Sequence, residues 1–144
     1  MHKLFSSLLA AACCGALAAQ TNVCTTQVAG TGCGPQLAVS FAPVGNAGNQ
    51  TITVDVSAMN PAGIGLMVWG RDVINVPVFG CFAYTNFLWG HPINPDGNGQ
   101  WSWSRSWPNS VQGYYRIQIA TLGPDPLGNI EINLTDCVVA ECTQ

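Results

Sequence analysis

The sequence predicts an antiparallel β-sandwich, and three observations predict it. Apolar and polar residues alternate with period two in several short runs. Turn chemistry falls every 8–12 residues in a chain with 16 Gly and 9 Pro. No stretch after residue 18 carries a useful helical period. The elements follow in order. Gly32-Cys33-Gly34-Pro35 is a turn, after which Leu37, Val39 and Phe41 alternate with small or polar residues. Residues 43–49 form a loop, and Ile52, Val54 and Val56 then alternate against Thr51, Thr53 and Asp55. Asn60-Pro61-Ala62-Gly63 turns the chain into the apolar run Ile64 to Trp69, the pattern of a core strand. Val76 to Phe87 carries one or two strands around Cys81, and residues 91–99 (HPINPDGNG) read as a turn. Trp101 to Trp107 is extended, Tyr115, Ile117 and Ile119 alternate, and Ile130, Ile132 and Leu134 complete seven or eight short strands.

The N-terminus reads as a secretory signal peptide over residues 1–18: a basic start at Lys3, an apolar run from Leu4 to Ala12, and small residues at Ala16 and Ala18. That run is too short to span a bilayer, which takes about 20 residues. A lipid anchor on Cys13 is disfavoured because Ala10 stands where a large aliphatic residue is expected. The remaining organisation is a polar lead over 19–31, one sandwich domain over 32–134, and a tail with two cysteines over 135–144. Taking 18 residues from 144 leaves 126, with Arg71, Arg105 and Arg116 against seven acids and no lysine. Three arginines cannot neutralise a phosphate backbone, so nucleic acid is excluded as an expected partner. A Schiff-base lysine is excluded too. Only 8% of residues are charged, which argues against a disordered tail or a charged helical bundle.

Five cysteines remain after residue 18, at positions 24, 33, 81, 137 and 142, in a chain directed to an oxidising compartment. Cys33–Cys81 is the preferred bridge; it closes a loop of about 50 residues, worth roughly 4 kcal/mol in the chain-entropy model. Cys137 and Cys142 can close a small loop, or one of them can take Cys24 and join the termini. The odd thiol is free or pairs between molecules, and with the extended lead it suggests strand addition between copies. Zinc is disfavoured, because no C-x-x-C is present and His91 is the only histidine after residue 18.

The most unusual stretch is Trp101-Ser102-Trp103-Ser104-Arg105-Ser106-Trp107. In a strand, Trp101, Trp103, Arg105 and Trp107 share one face and the serines share the other. Two readings compete. The indoles are core, with Arg105 at the strand end, between the rings, or paired with Asp55 or Asp72. Alternatively, they form a platform that stacks on sugar rings while Arg105 supplies hydrogen bonds; Trp89, beside His91, and Trp69 fit either set. Asn94, Asp96 and Asn98 space oxygen atoms as a calcium loop does, but the twelfth position is Arg105 and a plain turn explains them better. His91 has no G-x-S-x-G or H-E-x-x-H context, and no catalytic residue or cofactor is expected. Asn49-Gln50-Thr51 and Asn133-Leu134-Thr135 match the glycosylation sequon.

Taken in order, Gly32-Cys33, Pro43-x-Gly45, Pro61-Ala62-Gly63, Gly70, Gly80-Cys81, Asp96-x-x-Gly99, Pro108-Asn109, Gly113-Tyr114-Tyr115 and Gln118 resemble a β-sandwich domain of secreted proteins in planctomycete-like bacteria. The resemblance runs from about residue 30 to 134. It implies the sandwich and a Cys33–Cys81 bridge, and implies no activity. The chain departs from that pattern in its Trp-rich strand and in Cys24, Cys137 and Cys142. The expected function is therefore an exported, non-catalytic structural or adhesion module able to self-associate at the cell surface. Its partners would be other copies or surface polymers such as glycans. The alternative is a carbohydrate-binding module using Trp101, Trp103, Arg105, Trp107 and Trp89; a small hydrolase ranks below both.

Overall fold

A computed structural model describes residues 23–44, 49–108 and 110–143. The signal peptide expected over residues 1–18, with Cys13, lies outside the described residues. The described chain is all-β and antiparallel, with strands β1 (Val23–Gly30), β2 (Gln36–Val44), β3 (Asn49–Ser57), β4 (Ile64–Gly70), β5 (Val73–Val78), β6 (Cys81–Thr85), β7 (Trp89–Ile93), β8 (Trp101–Trp107), β9 (Gly113–Pro124), β10 (Ile130–Leu134) and β11 (Cys137–Thr143). One sheet has the order β1-β11-β9-β4-β7, with β10 paired to the far half of β9; the other has the order β2-β3-β8. Ile52, Val54 and Val56 of β3 meet Met67, Ile117, Ile119 and Val138 of the larger sheet in one core. This is the sandwich that period-two alternation predicts, because each sheet turns alternate residues inward.

Eleven strands replace the seven or eight expected, and the additions have identifiable causes. The segments expected as lead and tail pair with each other as β1 and β11, in a register that places Cys24 opposite Cys142. Val138 and Ala140 face the core while Cys137 and Val139 face the other way, and all four are buried. A strand covered on both sides reads as a continuous apolar run, which hides its alternation. Residues 91–93, assigned to a turn, belong to β7 instead. Pro92 is tolerated there because β7 is an edge strand.

What covers the outer side of β11 is the hairpin of β5 and β6, a third layer on the larger sheet. Gln118 fastens it. Its side-chain oxygen accepts from Tyr84 N at 3.0 Å, and its Nε2 donates to the carbonyls of Phe82 and Thr135, each at 2.9 Å. Gln118 is buried, so these bonds satisfy a polar group that burial would otherwise penalise. Cys33 and Cys81 form a disulfide that anchors the same hairpin, as expected. Cys24 and Cys142 form the second. Among the described residues Cys137 is the free cysteine, the first of the two alternatives for the odd thiol; it is buried, which disfavours the second, a link between copies. Burial pushes its thiol pKa up, against the opposing pull of the Arg116 guanidinium.

Two disulfides are consistent with an extracellular protein. Among the described residues no helix is long and apolar enough to cross a membrane.

Candidate functional site

The smaller sheet ends at β8 and the larger at β7, and neither edge is covered by a further strand. Between these edges the sandwich is filled by aromatic rings. The register sets Trp101, Trp103, Arg105 and Trp107 opposite Val56, Val54, Ile52 and Gln50 of β3. Val56, Val54 and Ile52 point inward, so the indole face of β8 points inward with them. Trp101, Trp103 and Trp107 are half-buried against the core, while Ser102, Ser104 and Ser106 are exposed. The core reading therefore describes their direction, but not their full environment.

The rings do not close the gap. A cleft of about 780 Å³ opens here, lined by aromatic residues Trp69, Trp89, Trp103, Trp107 and Tyr115 and by Arg71 and Arg105. Its volume lies in the range of roughly 300–1,000 Å³ common to small-ligand sites. Trp69, nearly buried, stacks on Trp107 with centroids 5.8 Å apart and planes 18° from parallel. Trp107 meets Tyr115 edge-on at 5.2 Å. Trp89 is the accessible indole, 45% exposed. The indole nitrogens of Trp69 and Trp107 are buried and have no hydrogen-bond partner. Buried donors are normally satisfied, and leaving one unpaired costs about 1–3 kcal/mol.

Both arginines reach the cleft from backbone held independently of them. Arg71 begins the turn after β4, and Asn86 ties that turn down. Its Oδ1 accepts from the backbone N–H groups of Arg71 and Asp72, each at 2.9 Å. Its Nδ2 donates to the Asp72 carboxylate at 2.9 Å. Gly70 is required beside it, because a Cβ there would lie 2.0 Å from the Asn86 carbonyl oxygen. Arg71 lies over the Tyr115 ring, 5.1 Å from its centroid, and donates to its hydroxyl at 3.3 Å. That hydroxyl in turn donates to the Gln112 carbonyl at 2.9 Å. Arg105 is exposed on β8, between Trp103 and Trp107.

Several expected roles change. Arg105 does not pair with Asp55 or Asp72: Asp55 accepts from Ser102 Oγ at 2.6 Å, and Asp72 is held by Asn86. Trp101 faces the other end of β8, where a more polar groove of about 670 Å³ is lined by Asp55 and Asp96. Asp96 does not gather Asn94 and Asn98 around a cation site. Its Oδ1 accepts from the backbone N–H of Asn98 and of Gln100 at 2.8 and 2.9 Å. Those bonds, led by the one from Gln100, hold its carboxyl below the usual range. Gly99 completes the turn at a φ of 70°, a conformation glycine adopts without cost. Among the described residues no group of three or more His, Cys, Asp or Glu could hold a metal. His91 packs among Trp89, Trp101 and Trp103 at centroid distances of 5.9 to 6.2 Å. No hydrogen bond joins it to a serine or a carboxylate among the described residues.

Arg71 and Tyr115 were not singled out from sequence. One signal was present: of three arginines after residue 18, two stand within two residues of a tryptophan, Arg71 after Trp69 and Arg105 between Trp103 and Trp107. No protein-family profile, curated protein or solved structure matches the chain.

Proposed function

We propose that the chain is an exported sugar-binding module whose site is the aromatic cleft between β7 and β8. One observation carries this reading: several indole rings and a tyrosine are gathered at an unclosed end of the core, where the accessible ring of Trp89 can stack on an apolar sugar face. A purely structural core would bury these rings; here they stay partly open and are flanked by hydrogen-bond donors, the mixture that recognises a ligand with apolar faces and many oxygens. Titration of the purified protein with oligosaccharides, read by indole fluorescence, tests it. Saturable quenching that is lost in Trp89→Ala, with the fold intact by circular dichroism, is the expected result. An unresponsive spectrum across a broad glycan set would remove the reading.

A second observation favours adhesion or self-association. The β5–β6 turn places Phe79 at a φ of 49°, a conformation unfavourable for a phenylalanine, and leaves it 80% exposed. Ile130, 71% exposed, lines the same shallow hollow. Apolar groups displayed in this way suit a protein contact. Sedimentation of the wild type and of Phe79→Ser should show association only in the former. A monomer at all concentrations for both counts against it.

A further inference from the structure

Resting on the sugar-cleft reading, we propose that the ligand is anionic: a saccharide bearing carboxylate or sulfate groups, its charge held by Arg71 and Arg105. After residue 18 the chain carries three basic residues against seven acids, yet two of the three line this one cleft and none of the seven acids does. Charge so sparse and so segregated gives the cleft a local sign opposite to that of the chain. Asp72, next to Arg71 in the chain, is held by Asn86, and Asp55, on the strand paired with β8, accepts from Ser102. Among the described residues Arg105 has no ion-pair or hydrogen-bond partner, so its guanidinium fork is available for a bidentate anion. Arg71 spends one donor on Tyr115 and is fixed over that ring, which leaves the rest of its five N–H groups free in direction but not in place.

The aromatic wall matters for the same reason. Next to low-polarity rings a charge pair is screened less than on an open surface. Acceptor groups are few in the cleft: the Tyr115 hydroxyl is turned to Gln112, and Ser106 is the one other hydroxyl on the wall. A neutral sugar could stack, but its ring would leave both guanidiniums without a counter-charge. A carboxylated or sulfated sugar satisfies stacking and charge together.

The test compares three probes on the full protein by calorimetry: tri-galacturonate, its fully methyl-esterified form with the same rings and no charge, and a sulfated galactan oligosaccharide. At least one anionic probe should bind about tenfold more tightly than the ester. That preference should disappear in Arg105→Gln, return in part in Arg105→Lys, and shrink in 1 M salt, where the Debye length is about 3 Å. Equal binding of the anionic probes and the ester would overturn the anionic specificity and leave the aromatic platform standing. No binding of any probe, together with no response to neutral glycans in the fluorescence titration, would overturn both. A preference that survives in both Arg105→Gln and Arg71→Gln would also overturn the proposal, because the charge would then be recognised elsewhere.

Discussion

The two ends of the larger sheet are closed by opposite means. At the β1–β11 end the residues are small or β-branched, Val138, Val139 and Ala140 are buried, and a disulfide joins directly opposed positions on the two terminal strands. At the β4–β7 end the filling is aromatic, ring meets ring at angles from near-parallel to edge-on, and space remains. Small side chains fit a pleated surface without gaps, whereas large planar ones tile a curved cleft poorly. The first end is closed and cross-linked, whereas the second keeps surface that the core has not consumed, as the proposed ligand site requires.

Breaking the closed end should have the largest effect. The Cys24–Cys142 bridge spans 118 residues, for which the chain-entropy model assigns about 5 kcal/mol. Replacing both with alanine should lower the urea midpoint sharply; a change of under about 1 kcal/mol would show that β1 is held by pairing alone. Trp69→Ala comes next, at about 3–5 kcal/mol, since Trp69 is nearly buried and supports Trp103 and Trp107. Trp89→Ala should cost less, about 1–2 kcal/mol, because nearly half of the residue is already in water. Equal destabilisation by Trp69→Ala and Trp89→Ala would mean the cleft is closed in solution.

The smallest effect belongs to the loops. Asp96 and Asp125 are both held below the usual carboxylate range, Asp96 chiefly by the Gln100 N–H and Asp125 chiefly by the Asn129 side chain. A depressed folded-state value means the stabilisation is present above the unfolded pKa of about 3.9 and is lost as pH falls through the folded one. The urea midpoint should therefore decline below about pH 4, and Asp96→Asn should flatten part of that decline. An unchanged acid profile would show that the turn stands without its carboxylate.

Much of the architecture could be read directly from residue order. The Ile52-Val54-Val56 alternation and the Ile64–Trp69 run became facing strands of one core. Cys33–Cys81 formed as expected. The terminal strands were missed for a physical reason: the polar β1 has little alternation because most of it is exposed, and β11 has little because it is covered on both sides. The candidate site was half legible. WSWSRSW marked Trp103, Arg105 and Trp107, and Trp89 was named beside them, whereas Arg71 came from the turn after β4 and Tyr115 from β9, neither adjacent to that stretch in sequence.

Residue order alone determined the all-β class and that the indoles of β8 share one face and its serines the other, since period-two geometry leaves a strand no other way to sort its side chains; which face turned inward was decided by pairing with β3. Tertiary structure decided which cysteine stayed free, where the chain's sparse positive charge collected, and that the indoles line an opening instead of a sealed core. Those outcomes depend on strand order and on how far two twisted sheets diverge at their edges. They are sums over many distant contacts, and no local pattern encodes them.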